Sequence, residues 1–246
     1  FYIIIFKIKM DFLISISKLC FIAGVYSILY KPINNLLLQN DKFKFYTQNR
    51  KNYIIKNLIK TVSMFLIFIN FIYIIYPSNF NAFLTNKIIR NYGALYVGND
   101  LCGLIMVKKL PKSTKIHHII TLFLYGIVSY FDVEKNDIVR MITIYTVFSF
   151  IPFSVNGFLA MRFFINKDTK DKKQLLLNKI IDINRICAKY TYMITCMCNW
   201  LIHLLYFANK FIIWDFNVLH ILYMLFLIPI INDDLVLLSW LNKKIC

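Results

Sequence analysis

A chain of 246 residues that is 59% hydrophobic and 17% aromatic, with a mean hydropathy of +0.60, carries more apolar surface than one soluble core of that length can hide. The formal charge of +17 would suggest nucleic acid in a soluble domain. Here the cations lie between apolar stretches and not in one patch, so they read as topology signals and nucleic acid is excluded as a partner. Lysine, isoleucine, asparagine, tyrosine and phenylalanine are all abundant, as in a compositionally biased genome, so part of the basicity carries no function.

A spanning helix needs about 20 mostly apolar residues. That measure predicts an all-α, polytopic membrane protein with seven transmembrane helices in one bundle, at roughly 12–30, 57–76, 90–107, 116–131, 140–161, 187–208 and 218–241. The first segment lacks a small-x-small cleavage site and reads as a retained anchor. Met10 stands just before it, so residues 1–9 are expected to lie upstream of a native start. Residues 1–49 form the anchor helix and a basic loop, and 50–246 a six-helix membrane domain. The third and fourth segments are short or polar at their ends. Between them Lys108-Lys109-Leu110-Pro111-Lys112-Ser113-Thr114-Lys115 predicts a tight helical hairpin, with Pro111 barring a continuous helix.

Cytosolic loops retain the excess of Lys and Arg. Loop 1–2 carries six of them, including Lys56; loop 3–4 four; loop 5–6, Arg162 to Lys189, eight; and the tail Lys243 and Lys244. The opposite set of loops holds seven in all. The amino terminus is therefore expected in the lumen and the carboxyl terminus in the cytosol. Lys243-Lys244-Ile245-Cys246 then matches the K-K-x-x dilysine signal by which endoplasmic reticulum (ER) membrane proteins are retrieved, and implies the retrieval machinery as a partner. Loop 5–6, with Asp168 to Lys173 almost wholly charged, is expected to be a solvated connector whose basic surface touches anionic lipid headgroups. The six cysteines show no C-x-x-C or zinc-type spacing, so neither a disulfide framework nor a metal site is expected.

Ionisable or amide side chains inside a span are costly and normally face the bundle interior. Helix 3 carries Tyr96, Asn99 and Asp100. Helix 4 opens with His117 and His118, four and three residues before Thr121, on adjoining parts of one face. The hairpin places Asp100 about 10 Å below the cytosolic boundary, within about two turns of the histidines. A carboxylate close to an imidazole fixes its tautomer and raises its basicity. Tyr145, Ser149, Pro152 and Asn156 make one stripe on helix 5, kinked at Pro152, and Thr191, Thr195, Asn199 and His203 repeat the spacing on helix 6. Helix 7 holds Pro229, Asn232, Asp233 and Asp234, of which at least one aspartate is expected to look inward. Ligand binding is thus expected of Tyr96, Asp100, His117, His118, Thr121, Asn156, His203, Asp233 and Asp234. No P-loop, nucleotide-binding glycine fingerprint, zinc helix or serine elbow is present.

Tyr96-x-x-x-Asp100-Leu101 followed by His117-His118-x-x-Thr121 resembles the Y-x-x-x-D-L and H-H-x-x-T pattern of the TLC-domain family. That family includes translocon-associated TRAM proteins, longevity-assurance ceramide synthases and a lipofuscinosis protein. Ser149-x-x-Pro152-Phe153 with Asn156 and Arg162-Phe163 is similar to a stretch of its non-synthase branch, with the asparagine-to-arginine spacing stretched. Asp234-Leu235-x-x-Leu238-x-Trp240 looks like the family's last helix. The resemblance covers roughly residues 50 to 244 and implies an ER protein that binds or organises membrane lipids, with no cofactor. The synthase branch carries a second His-Asp about 27 residues after its histidine pair; Ile144 to Phe150 lie there in this chain. As alternatives, the resemblance implies a reduced acyl-CoA-dependent N-acyltransferase, with acyl-CoA as co-substrate, His118 as base and His117 and Asp100 orienting it, or an ER cargo receptor or translocon-associated factor.

Overall fold

The computed structural model describes residues 2–75, 85–166 and 169–243, and among them it contains helices and no strand. The helices are α1 (Tyr2–Leu37), the short α2 (Asp41–Lys44), α3 (Gln48–Ile75), α4 (Asn86–Met106), α5 (Lys112–Tyr130), α6 (Asp137–Phe150), α7 (Ser154–Met161), α8 (Lys172–Ile212) and α9 (Val218–Asn242), with a 3-10 turn at Arg162–Phe164. Among the described residues four stretches are long and apolar enough to cross a bilayer: Lys9–Leu37, Gln48–Tyr73, Lys172–Ile212 and Val218–Asn242. The α6–α7 pair, bent by 46°, makes a fifth if it is counted as one broken span. These helices fit a multi-pass membrane protein. The predicted segments at 90–107 and 116–131 both fall on helices, α4 and α5, which the same measure of length and composition does not select.

Local chemistry explains several boundaries. Pro152 cannot donate to the preceding turn, and the predicted kink is a full break between Phe150 and Ser154. The Asn136, Asp171 and Asn217 side chains accept from first-turn N–H groups of α6, α8 and α9, satisfying otherwise orphaned donors. At Asn217 the bond is reciprocated by His220 in a capping box. The expected 3–4 hairpin is present, with Pro111 immediately before α5.

The interior is largely apolar, yet apolar side chains also cover the outside and several ionisable groups lie within. Phe21, Ile28, Leu66, Leu204 and Ile228 stand exposed on outward faces. Lys56, Lys60, Asp100, His118, Asn199 and Asp234 are buried. Water penalises such an exterior, whereas a hydrocarbon solvent favours it and drives the ionisable groups inward. α1 packs mainly on α4, α3 on α4 and α7, α5 on α4 and α9, and α8 on α7 and α9.

Two expectations are corrected. Loop 5–6 is not a solvated connector throughout: α8 starts at Lys172 and runs 41 residues, about 60 Å at ~1.5 Å per residue. Asp171 caps it, and Ile181 and Ala188 bury against Val155, Phe158 and Leu241. Lys56, assigned by charge counting to a cytosolic loop, lies inside α3 and is only 3% exposed. Of the dilysine sequence only Lys243 is described; Lys244, Ile245 and Cys246 lie outside the described residues, as do Lys167 and Asp168 of loop 5–6.

Candidate functional site

α3, α4 and α5 bring four ionisable groups together. Lys60 Nζ lies 2.5 Å from Asp100 Oδ1, and His118 Nδ1 lies 3.2 Å from the same oxygen. On the far edge of the imidazole, Lys56 Nζ is 2.9 Å from His118 Nε2. Lys56 and Lys60 are four residues apart, so α3 projects both from one face. Thr121 Oγ1 sits 3.3 Å from Asp100 Oδ2 and 2.9 Å from the His118 carbonyl oxygen. The Lys60 ammonium also stands 4.9 Å over the Tyr96 ring, a cation–π distance.

α9 supplies the acids facing this group. Asp233 Oδ1 accepts from Thr114 at 3.1 Å, and Asp233 Oδ2 is 3.4 Å from His117 Nδ1. Asp234 turns to other neighbours, accepting from Tyr192 at 2.6 Å, Tyr145 at 2.8 Å and Trp200 at 3.4 Å. Both aspartates are buried, where the sequence required only one to turn inward. The two histidine rings stand edge to face, 5.7 Å apart. Neither Nδ1 has an aligned hydrogen-bond partner, although each has a carboxylate at ion-pair distance.

Lys56, Lys60, His117, His118, Asp233 and Asp234 line a cavity of about 100 Å³, together with Tyr53, Asn57, Ser149 and Asn156. It has room for a few water-sized groups, well below the ~300–1,000 Å³ of pockets that hold whole drug-sized ligands. A separate apolar groove of about 960 Å³ runs between α8 and α9, lined by Leu201, Leu204, Phe207, Met224, Leu225 and Ile228 among others. Tyr145 and Trp200 also line that groove, and both hydrogen-bond Asp234 on the wall of the polar cavity. No family model, curated protein or solved structure matches the chain.

Asp100, His117 and His118 offer ligand atoms within 4.8 Å of one another, a donor set of the kind transition metals use. Lys60 and Lys56, however, already engage Asp100 and His118, and a dication would have to displace two ammonium groups in a medium that screens them poorly.

Of the residues expected to bind ligand, Tyr96, Asp100, His117, His118 and Thr121 meet in or against the cavity, joined by Asp233 and Asp234. Asn156 lines it while donating to Met64 Sδ at 3.3 Å. His203 does not join them. Its Nε2 pairs with the Tyr223 hydroxyl at 2.7 Å and its Nδ1 lies 2.8 Å from the Asn199 carbonyl, on the apolar groove. Sequence reasoning missed Lys56, Lys60, Tyr53, Tyr192 and Trp200. The available signal was Lys60, the single cation inside the predicted 57–76 segment, one turn after Lys56.

Proposed function

We propose that this chain is a seven-span protein of the ER membrane, of the non-synthase TLC-domain type, that binds or organises membrane lipids. The observation that carries the reading is the junction at Asp234. An apolar groove open toward the lipid-facing side and a buried polar cavity adjoin across the Tyr145–Asp234–Trp200 hydrogen bonds, so an amphiphile that parts those bonds places its chain in the first and its headgroup in the second. In this reading the amino terminus is lumenal, and Lys243 and Lys244 address the retrieval machinery.

The test is to purify the full chain in detergent, extract co-bound lipid and identify it by mass spectrometry. Stoichiometric lipid, reduced when Leu201→Trp fills the groove, is the expected result. A folded protein that carries no lipid from any membrane would overturn the reading.

One observation favours a second reading. Asp100 beside His118 Nδ1 is the orientation a general base needs, and Nε2 would take a proton once the Lys56 ammonium, 2.9 Å away, withdrew from it. An acyl-CoA-dependent N-acyltransferase built on it would form N-acylated sphingoid base that His118→Ala abolishes; product unchanged in that variant removes the histidine from any mechanism.

A further inference from the structure

Resting on the lipid-binding reading, we infer that the polar cavity selects a zwitterionic lipid headgroup carrying a primary ammonium and an anionic phosphate, the chemistry of phosphoethanolamine. The cavity is charge-divided. Lys56 and Lys60 project from α3 on one side, Asp233 and Asp234 from α9 on the other, and His117 and His118 of α5 stand between them. A ligand of one sign would satisfy one wall and be repelled by the opposite wall. A zwitterion satisfies both.

Hydrogen-bond accounting points the same way. An ammonium has three N–H donors. Among the described residues Lys56 is bonded to His118 and Lys60 to Asp100, which leaves donors on each buried amine without an acceptor. Buried donors of this kind demand an oxygen, and a phosphate offers several. On the opposite wall Asp233 accepts one aligned bond, from Thr114. His117, 9% exposed, leaves Nδ1 unpartnered 3.4 Å from the second Asp233 oxygen. The second Asp233 oxygen receives no aligned hydrogen bond from His117, and a primary ammonium supplies one.

Size refines the class. A cavity of about 100 Å³ favours a compact headgroup over a sugar. A trimethylammonium group is larger and has no N–H to give Asp233. For the chain of the same lipid to reach the groove, the Tyr145 and Trp200 hydrogen bonds to Asp234 must part.

The experiment uses the detergent-purified full chain and the tryptophan fluorescence of Trp200, on the groove, and Trp240, on the cavity. Four probes are titrated: lysophosphatidylethanolamine, lysophosphatidylcholine and lysophosphatidic acid of one chain length, and free phosphoethanolamine. Lysophosphatidylethanolamine is expected to bind roughly tenfold or more tighter than each of the other three, the value of about one charge-assisted hydrogen bond. Asp233→Asn is expected to remove its advantage over lysophosphatidic acid, and Lys56→Gln to weaken both. The ranking on the wild-type protein needs no variant, so misfolding of either variant leaves the inference open to refutation. Equal affinity for the three lysolipids would overturn the headgroup assignment and leave lipid binding standing. No lysolipid binding would overturn both. Free phosphoethanolamine matching the lysolipid would assign the cavity to a soluble zwitterion and overturn the lipid source.

Discussion

Lys60 and Asp100, forty residues apart in sequence, form an ion pair of 2.5 Å with side chains 7% and 0% exposed. The pair ties α3 to α4 at the depth where the cavity begins. Breaking a buried pair from one side strands a charge and costs about 3–5 kcal/mol, while replacing both partners by apolar groups is often close to neutral. Lys60→Met and Asp100→Leu are each expected to lower the thermal unfolding midpoint in detergent sharply. The double variant is expected to recover most of the loss. Additive losses in the double variant would show that the two groups act independently.

Close approach of α1 to α4 gives a second prediction. A Cβ at Gly98 would meet Ile22 Cγ2 at 2.8 Å, with the Ala23 backbone nitrogen 3.6 Å away. Gly98→Ala should cost about 1–3 kcal/mol as α1 is pushed outward. A Cβ at Gly126, on α5, would meet nothing within 4 Å, so Gly126→Ala should stabilise by up to about 1 kcal/mol through helix propensity alone. Thermal unfolding of the two variants side by side separates packing from propensity.

The difference between Asp100 and Lys56 shows what the sequence made legible. Asp100, His117, His118 and Thr121 could be placed together because two short helices joined by a proline-stopped turn must be antiparallel neighbours, and 3.6-residue periodicity then fixes their faces. Lys56 could not, because lysines near a span's end usually snorkel to the headgroups, and only the packing of α4 on α3, with His118 of α5 at its ammonium, turns this one inward. Asp233 and Asp234 point about 100° apart on a helix, so the sequence guaranteed no more than at least one buried aspartate. Both are buried because α5 covers one direction and α8 the other, which is a tertiary fact. His203 carries the right spacing on α8 for an inward polar stripe, but that stripe faces Tyr223 and not the cavity.

Asp234 supports a third prediction. It accepts from two phenols and an indole and, among the described residues, has no cation within ion-pair distance. Losing a neutral donor to a buried acceptor costs about 1–3 kcal/mol. Tyr192→Phe, which removes the shortest of the three bonds at 2.6 Å, should destabilise more than Trp200→Phe, which removes the longest at 3.4 Å. The two phenols donate to different oxygens, so Asp234→Asn keeps an acceptor for one and turns an amide N–H, which a hydroxyl can accept, toward the other; it should be milder than Asp234→Leu. A larger drop in unfolding midpoint for Trp200→Phe than for Tyr192→Phe would count against this hydrogen-bond arrangement.

Acid sensitivity is predicted at the turn between α5 and α6. Asp132 Oδ1 accepts from the Asn86 amide at 2.8 Å and from the Glu134 N–H at 3.0 Å. The Asn86 amide, followed by the Glu134 N–H, holds the Asp132 carboxyl below its ordinary range. A carboxyl held down in the folded state contributes stability above its unfolded pKa of about 3.9 and loses it as pH falls through the lower folded value. Asp132→Asn removes that dependence, so the stability gap between wild type and variant should be constant from about pH 7 to pH 5 and close below about pH 4. The gap should be small, because solvent reaches the turn and screens it. A gap that widens on acidification would mean that the carboxyl is raised on folding, and that the Asn86 amide does not govern the turn.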